Sequence, residues 1–299
     1  MKKKVAKAII STILSLALVG VIILFEIKEW PVGSSISGLI LGFLVPYVFK
    51  YFQDLFDTTD WKVSQRQLQR GGIIKDQTIV RISFAYLYRI KIGNKYLLIK
   101  NDRGTGKYQP VGGVYKLLGN EKLNLKNLYK VMDDDKIPID ESSRDDYRLR
   151  MENKYLRKFV RRFDKTNERE QVHNLGREFK EELIEKGIVD WNRISYRYCG
   201  RHISELRFGE HFQCYELLLA DIVELLPTPE QEADLKRLLS QQSDTYYFAT
   251  VDEIKALGIN TDKGDLREII ADHSNKITQE AEGGLLMLPG VGKTYAVSL

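Results

Sequence analysis

The sequence predicts two N-terminal transmembrane helices followed by one α/β domain. Two long apolar runs near the N-terminus predict the transmembrane helices. Alternating strand-like segments, and further on a helix with regularly spaced carboxylates, predict the α/β domain. A chain of 299 residues with 43% hydrophobic residues can bury one sizeable core. We therefore expect a membrane hairpin over residues 1–56 and a second domain over residues 57–299.

The composition excludes several classes of function. A net charge of +5 with 29% charged residues is too modest for a protein that binds long nucleic acid through its overall charge. Cys199 and Cys214 stand outside any CxxC pair or Cys/His cluster, which argues against a disulfide scaffold and against a zinc site. A reducing compartment is the simpler interpretation.

The first apolar run, residues 5–25, reads VAKAIISTILSLALVGVIILF and is interrupted only by Lys7. A helix that rises about 1.5 Å per residue needs roughly 20 such residues to cross a bilayer. Residues 32–51 are long enough for a second span, and the second run argues against a cleaved signal peptide. We therefore expect both helices to remain in the membrane.

Positive charges predict the orientation of this hairpin. Lysines flank both predicted helices on one side, whereas the connecting residues 26–29 lack such an excess. The positive-inside rule then predicts a two-pass protein with both termini in the cytoplasm. The lysines concerned are Lys2, Lys3, Lys4, Lys7 and Lys50.

Residues 78–102, TIVRISFAYLYRIKIGNKYLLIKND, begin the second domain with alternating β-branched and aromatic residues. The Gly93-Asn94 dipeptide suits a tight turn, so we expect two antiparallel strands here. The next loop contains the pair Gly112-Gly113, which indicates a backbone that turns or approaches another group closely.

Candidate chemistry appears in LGREFKEELIEKGI, residues 175–188. Glu178, Glu181 and Glu182 have the i, i+3, i+4 spacing that puts three carboxylates on one helical face. Three such charges in a cleft call for a hard divalent cation such as Mg²⁺. Arg177 is placed to pair with one of these carboxylates. An ordinary amphipathic helix, with Phe179 and Leu183 packed inward, is the alternative that the same residues allow.

These segments together resemble the Nudix hydrolase family, whose box reads G-x5-E-x7-R-E-U-x-E-E-x-G-U with U apolar. The pair Gly112-Gly113 resembles the loop that enters the box, and residues 177–182 match R-E-U-x-E-E position by position. Residues 211–235 and 245–259 resemble later parts of the fold. The resemblance covers roughly residues 79–270. It implies an α/β Nudix-type domain with Arg177, Glu181 and Glu182 as catalytic residues, and with Glu178, Glu181 and Glu182 as Mg²⁺ ligands.

The sequence departs from the family pattern at two places. Some sixty residues separate the glycine pair from Arg177, where the family has about a dozen, so a helical insertion over about 116–170 interrupts the box. Either Glu168 or Glu170 could serve as the first glutamate of the box. Ile184 stands where the family has glycine, and Gly187 follows about one turn later. Because of these departures, hydrolytic activity stays an open question.

A two-helix anchor joined to an interrupted Nudix domain resembles the SMODS-associated Nudix proteins of bacterial antiphage (CBASS) signalling. The resemblance implies an inner-membrane effector that binds a cyclic di- or trinucleotide, assembles into a homo-oligomer and disrupts the bilayer. The alternative is a membrane-tethered, Mg²⁺-dependent Nudix hydrolase of nucleoside diphosphate derivatives.

The insertion also contains a concentrated basic segment, RLRMENKYLRKFVRRFDK, which we expect to form one helical stretch over residues 148–165. Arg157 and Arg161 in this stretch are candidates to hold nucleotide phosphates beside Gly112-Gly113. Contact with lipid headgroups and a simply solvated helix are the alternatives. The final segment, LPGVGKTYAVSL, lacks the first glycine of a phosphate-binding loop and is expected to be a tail.

Overall fold

The chain divides into two compact units, Met1–Ile74 and Lys75–Leu299. A computed structural model describes residues 2–56, 60–101, 104–141, 143–259, 267–279 and 285–299. Side chains in the first two helices are described at residues 12–46 and 48. The predicted domain boundaries, 1–56 and 57–299, stay predictions.

The first unit consists of α1 (Lys2–Ile27), α2 (Pro31–Phe56) and α3 (Asp60–Arg70). At the turn between α1 and α2, the rings of Phe25 and Trp30 meet edge to face with centroids 4.7 Å apart. Within α1 and α2 the stretches with described side chains, residues 12–27 and 31–46, are 16 residues long. Among the described residues, no helix combines the length and the apolar character that crossing a membrane requires. The predicted transmembrane hairpin and the two-pass inner-membrane placement are therefore wrong.

The second unit is an α/β domain, as predicted. Over its described residues it contains an eight-stranded mixed sheet in the order β12-β8-β10-β1-β7-β6, with β5 added to β1 and β9 added to β10. A second sheet has the order β11-β3-β2, with β4 added to β3. The strands are β1 (Ile79–Arg89), β2 (Lys91–Ile92), β3 (Lys95–Lys100), β4 (Tyr108–Gln109), β5 (Gly112–Val114), β6 (Met132–Asp133), β7 (Arg148–Glu152), β8 (Arg193–Ile203), β9 (Arg207–Gly209), β10 (Cys214–Leu225), β11 (Tyr246–Thr250) and β12 (Thr294–Ser298).

Helices cover these sheets. They are α4 (Glu121–Tyr129), α5 (Leu156–Lys165), α6 (Gly176–Phe179), which continues into a π-helical turn (Lys180–Ile184), α7 (Pro229–Leu239) and α8 (Val251–Lys255). Two 3₁₀ segments, Asn153–Tyr155 and Asp272–Thr278, complete the described helical elements. Thr228 and Thr250 begin α7 and α8 with capping boxes, in which the threonine side chain accepts a hydrogen bond from the third residue of its helix.

Strand β1 organises the core because its side chains alternate between two faces. On one face, Phe84, Tyr86 and Tyr88 are fully buried in an aromatic core. Phe84 packs against Phe159 and Phe163 of α5, while Tyr88 packs against Phe179 of α6. On the other face, Leu87 joins an aliphatic core that includes Leu98, Ile222, Ile254 and Ile277.

The predicted hairpin exists but is shorter than expected. Lys91 pairs with Tyr96 and Ile92 pairs with Lys95 around the Gly93-Asn94 turn. Gly93 has φ +60°, a conformation that glycine adopts without strain. Residues 79–89, by contrast, leave this hairpin and pair in parallel with β10 in the main sheet.

The insertion extends the main sheet rather than forming one basic helix. Strand β7 pairs with β1 in antiparallel fashion, with Leu149 opposite Ile82. Leu149 and Met151 are buried while Arg148 and Arg150 are only partly buried, which is the period-two pattern of a strand. The expectation of a single helix over residues 148–165 is therefore wrong, since residues 148–152 form a strand and the α-helix occupies only residues 156–165, after one 3₁₀ turn.

The C-terminal segment is part of the fold and not a tail. Residues 294–298 form β12, which pairs with β8 over five residue pairs at the edge of the main sheet. Val297 on this strand is buried. The strand therefore covers an edge of β8 that would otherwise present unpaired backbone groups.

Candidate functional site

A cleft of about 670 Å³ opens on the face of the main sheet. Alternate residues of β1 form its floor, namely Arg81, Ser83, Ala85 and Leu87. These residues lie on the opposite face of the strand from the aromatic core. The volume falls within the range of small-molecule pockets, roughly 300–1,000 Å³.

Three separate parts of the chain form the walls of this cleft. The helix that follows the insertion contributes Arg177, Glu178 and Glu181. The 3₁₀ helix Asp272–Thr278 contributes His273 and Lys276. The insertion itself contributes Lys116, Ile137, Pro138, Asp140, Ser143, Asp146 and Arg148. The insertion thus supplies part of the site that it interrupts in sequence.

The glycine pair brings β5 against both β1 and the carboxylate helix. Gly112 has φ +147°, and a Cβ there would lie 2.2 Å from the backbone oxygen of Tyr86. A Cβ on Gly113 would lie 1.9 Å from Oε1 of Glu178. Gly112 therefore requires glycine because backbone faces it, whereas at Gly113 the end of a side chain lies close. The loop and the helix, more than sixty residues apart in sequence, meet at one place.

Arg177 joins the helix to its surroundings. Its Nη2 donates to the carbonyl oxygen of Val114 at 2.9 Å and to Oε2 of Glu170 at 3.1 Å. Its Nη1 forms an ion pair with Glu178 and lies 3.7 Å from Oε1 of Glu181. Although burial by itself lowers the pKa of Arg177, the neighbouring Tyr86, Glu178 and Glu170 raise it above its ordinary value. The guanidinium is therefore a permanent charge that fixes the carboxylates around it.

Glu170 occupies the position that the sequence left open between two glutamates. It is buried, and its Oε1 accepts a hydrogen bond from the Tyr86 hydroxyl at 3.2 Å in addition to its contacts with Arg177. Glu168 instead accepts a hydrogen bond from Asn124 at 2.9 Å. Glu170, not Glu168, is thus the partner of Arg177.

Glu182 differs from the other two carboxylates in its contacts. Its Oε2 accepts a hydrogen bond from the Gly112 amide at 2.9 Å, and it is not among the residues that line the cleft. Burial raises the pKa of Glu182 to about 8; the Gly112 amide opposes this change and the charge of Glu178 adds to it. Burial also raises the pKa of Glu178, against the effect of Arg177.

The helix that carries these carboxylates is not α-helical throughout. After Phe179 the chain enters a π-helical turn, in which the Glu185 amide donates to the Lys180 carbonyl five residues earlier at 2.9 Å. The i, i+3, i+4 spacing rule assumes α-helical geometry, so it does not describe the side-chain directions in this turn. Glu178 and Glu181 line the cleft, whereas Glu182 accepts the hydrogen bond from the Gly112 amide.

Most of the second unit matches the model of a known protein family. The family model of the SMODS-associated NUDIX domain matches residues 79–278, which is more than half of the chain. The chain belongs to the SMODS-associated Nudix family. Membership suggests an effector role in CBASS-type antiviral defence. No curated protein matches the chain closely enough to be reported as a relative.

Nudix domains generally use a divalent metal. Within the described part of this Nudix domain, no group of three or more acidic, histidine or cysteine side chains is arranged to hold an ion. Glu178 and Glu181 both face the cleft, however, and Mg²⁺ is often held by one or two carboxylates together with ligand phosphates. These two residues therefore fit a metal whose coordination is completed by a phosphate. Such an ion would polarise a phosphoryl oxygen.

The arginines predicted to hold phosphate do not line the cleft. Arg157 and Arg161 lie on α5 and are not among the residues lining the cleft, and Arg161 is exposed. Besides Arg81 and Arg177, the basic residues that line it are Lys116, Arg148 and Lys276. Arg148 was part of the basic segment, but it lies on strand β7, and its Nε is buried without a hydrogen-bond partner in the described chain.

Sequence reasoning missed Lys116 and Lys276 because each stands alone in the sequence, without other candidate residues around it. Lys116 forms an ion pair with Asp146, also a residue of the cleft wall. Only the fold brings Lys116 and Lys276 into one cleft, since they are more than a hundred residues apart in the sequence.

Proposed function

We propose that this SMODS-associated Nudix protein is an effector of CBASS-type antiphage defence whose Nudix domain binds a cyclic di- or trinucleotide in the cleft. One observation carries the proposal: the cleft combines positive side chains from separate segments with apolar side chains on its floor and on the facing wall. A nucleotide needs both, because its phosphates are anionic and its bases are flat and largely apolar.

Lys116 and Arg148 supply the contact with phosphate in this proposal. The buried Nε of Arg148 has no partner, and a buried donor without a hydrogen bond is unfavourable until a ligand or water satisfies it. A guanidinium offers a planar fork of donors that matches phosphate oxygens. Nη1 of Arg148 lies 3.6 Å from the Asp146 carboxylate. This ion pair is long, so Asp146 does not fully compensate the charge of the guanidinium.

Apolar side chains supply the contact with a base. Ala85, Leu87 and Leu218 belong to the strands of the floor, while Ile137 and Pro138 come from the insertion on the facing wall. A flat ring between these two layers would bury apolar surface on both sides. The insertion is therefore proposed to determine which base is accepted.

Titration calorimetry on the full chain tests the proposal. The panel consists of cyclic di-AMP, cyclic di-GMP, cyclic GMP-AMP and cyclic tri-AMP, each with and without Mg²⁺. We expect at least one member to bind, and Arg148→Gln to weaken that binding by about tenfold or more, because a hydrogen bond to a charged group is lost. Arg161→Gln removes the same charge from an exposed site in the same insertion and should leave the affinity unchanged. Binding by no member of the panel would contradict the proposal.

A second candidate function is Mg²⁺-dependent phosphohydrolysis of a nucleoside diphosphate derivative, which the two carboxylates facing the cleft favour. Chromatography of the nucleotides recovered from the titration distinguishes the two functions. A sensor returns its ligand intact, whereas a hydrolase returns products only when Mg²⁺ is present, and Glu181→Gln should then abolish cleavage. Sedimentation velocity on the same samples tests the proposed homo-oligomer, which should appear only with ligand.

A further inference from the structure

A second pocket, of about 360 Å³, lies beside the cleft of the Nudix domain. One wall is the segment that connects β8 to β9, and the other wall is the 3₁₀ helix Asp272–Thr278. Leu218, His273 and Lys276 line both cavities, so the two are neighbours across these shared side chains. This pocket has no role in the Nudix chemistry described above.

Basic and imidazole side chains surround this second pocket. Arg207 and Lys276 form no ion pair within the described part of the chain, although the pocket also contains Glu205 and Asp272. His202 and His273 complete the set of potential cations. Four groups that can each donate to an anion thus converge on one small space.

The protein environment disfavours positive charge in this pocket as it stands. Burial, together with the charge of Lys276, lowers the pKa of His202 and of His273 to about 4. Burial also lowers the pKa of Lys276; Asp272 opposes this change and Arg207 adds to it. An anion in the pocket would reverse these effects, because it favours the charged form of every one of these groups.

Two polar atoms of the lining residues also lack partners. His202 Nδ1 and Gln279 Oε1 are buried and form no hydrogen bond within the described residues. The 3₁₀ helix itself is firmly held, since Arg89 Nε donates to the Ile277 carbonyl at 2.7 Å. The pocket is therefore a built cavity with unsatisfied polar groups and not a gap beneath a loosely attached segment.

We infer that this second pocket binds a phosphate group, and that the ligand of the domain carries two phosphates, one for each cavity. The first phosphate lies with Lys116 and Arg148 in the cleft, and the second with Arg207, Lys276 and the two histidines. This choice of ligand rests on the proposed function, because a nucleotide in the cleft is what links the two cavities. The phosphate site in the second pocket does not depend on it.

Histidine resonances test the phosphate site directly. The chain contains four histidines, so each ring can be assigned by a single His→Gln variant of the full chain. Titration with inorganic phosphate should raise the pKa of His202 and His273 and leave His173 and His211 unchanged. The rise should be lost in the double variant Arg207→Gln/Lys276→Gln. Arg193→Gln, an exposed arginine at the opposite end of β8, removes one positive charge without touching the pocket and should retain the effect.

An equal response of all four histidines, no response, or a response that persists in the double variant would overturn the phosphate site. The link between the cavities has its own test. Arg207 lines only the second pocket, so the single variant Arg207→Gln should bind a cyclic dinucleotide about tenfold or more weakly. It should bind a nucleoside monophosphate, with its single phosphate, as well as the wild type does. If the wild type bound no nucleotide, the proposed function would fail while the phosphate titration still decided the pocket.

Discussion

At the scale of single residues, the adjacent glycines Gly112 and Gly113 contact different neighbours. The backbone of β1 faces Gly112, while the flexible end of the Glu178 side chain faces Gly113. Backbone cannot move aside without disturbing the sheet, whereas a carboxylate can rotate to another staggered conformation. The same substitution should therefore mainly reduce stability at Gly112 and mainly disturb Glu178 at Gly113.

We predict that Gly112→Ala lowers the free energy of unfolding by about 2 kcal/mol or more, because it combines a left-handed φ with a clash against the Tyr86 carbonyl. Gly113→Ala should lower it by less than about 1 kcal/mol but displace Glu178, and so weaken Mg²⁺-dependent ligand binding. Urea denaturation and calorimetry measure the two effects. Equal losses of stability in the two variants would contradict the prediction that only Gly112 faces backbone that cannot move.

The two glutamates that the sequence could not distinguish make a matched comparison. Glu170 is buried with Arg177, whereas the Glu168 side chain is 43% exposed. We predict that Glu170→Gln lowers the free energy of unfolding by about 2 kcal/mol, because it removes charge-assisted hydrogen bonds at a buried site. Glu168→Gln should change it by less than about 0.5 kcal/mol. Chemical denaturation measures both, and similar values would argue against Glu170 as the partner of Arg177.

At the scale of elements, the insertion is a structural part of the main sheet. Its strand β7 occupies the side of β1 opposite β10, and Tyr147, just before it, is fully buried and donates to Glu121 at 3.2 Å. Arg162 of α5 also binds Glu121, with 2.8 Å between Nε and Oε1. The insertion is thus bound to the core through both strand pairing and a buried carboxylate.

We predict that Leu149→Ala in β7 lowers the free energy of unfolding by about 2–4 kcal/mol, because Leu149 is 1% exposed and its loss leaves a cavity against β1. Lys158→Ala on the exposed side of α5 should change stability by less than about 0.5 kcal/mol. Thermal or urea denaturation separates the two variants. An insertion that was merely appended to the domain would give a small effect for Leu149 as well.

Local patterns predicted the elements that depend on local chemistry. The hairpin turn at Gly93-Asn94 and the helical residues 176–184 follow from turn residues and from the family motif. Strand β7 could not be found in this way. Its two apolar residues stand among arginines in a stretch that otherwise reads as a basic helix, and only the open edge of β1 selects the extended form.

The candidate site was predictable where its residues belong to a recognisable motif, which includes the distant pair Gly112-Gly113. Arg177, Glu178 and Glu181 lie in one motif and do face one cleft. Glu182 shares this motif but binds the Gly112 amide and does not line the cleft, a difference that the α-helical spacing rule does not predict. Lys116 and Lys276 reach the cleft only through the fold, so no spacing rule applies to them.

At the scale of the whole molecule, one buried carboxylate ties several elements together. Asp221 of β10 is fully buried and accepts hydrogen bonds from the Tyr115 hydroxyl at 2.7 Å and the Tyr198 hydroxyl at 2.9 Å. Arg201 of β8 binds the same carboxylate, with 2.7 Å between Nε and Oδ1, and also binds Asp164 of α5. Buried charges of this kind are tolerated only when they are paired and fully hydrogen-bonded.

This network predicts how stability depends on pH. Although burial by itself raises the pKa of Asp221, the charge and hydrogen bonds of Arg201 hold it below the ordinary value. The pKa of Asp221 in the folded state is therefore lower than its pKa in the unfolded state, roughly 3.9. Its contribution to the free energy of unfolding is complete above the unfolded pKa and is lost as pH falls through the folded pKa.

We accordingly predict that Asp221→Asn lowers the free energy of unfolding by about 3 kcal/mol near pH 7. The difference in this free energy between wild type and variant should narrow below about pH 4. Tyr198→Phe, which removes one hydrogen bond, should cost about 1 kcal/mol and provides a measurement if the asparagine variant does not fold. Denaturation at a series of pH values measures the difference in free energy of unfolding. A difference that stayed constant down to pH 3 would contradict this role of the Asp221 carboxylate.

The parallel pairing of β1 with β10 has a consequence for the synthesis of the protein. Arg81 and Glu216, which face each other across these two central strands, are 135 positions apart in the chain. A ribosome therefore releases β1 long before its partner strand exists, and such non-local pairing is slow to form even in the finished chain. Until then an apolar strand is exposed to other nascent chains, so we expect expression to depend on chaperones more strongly than the stability of the finished fold would suggest.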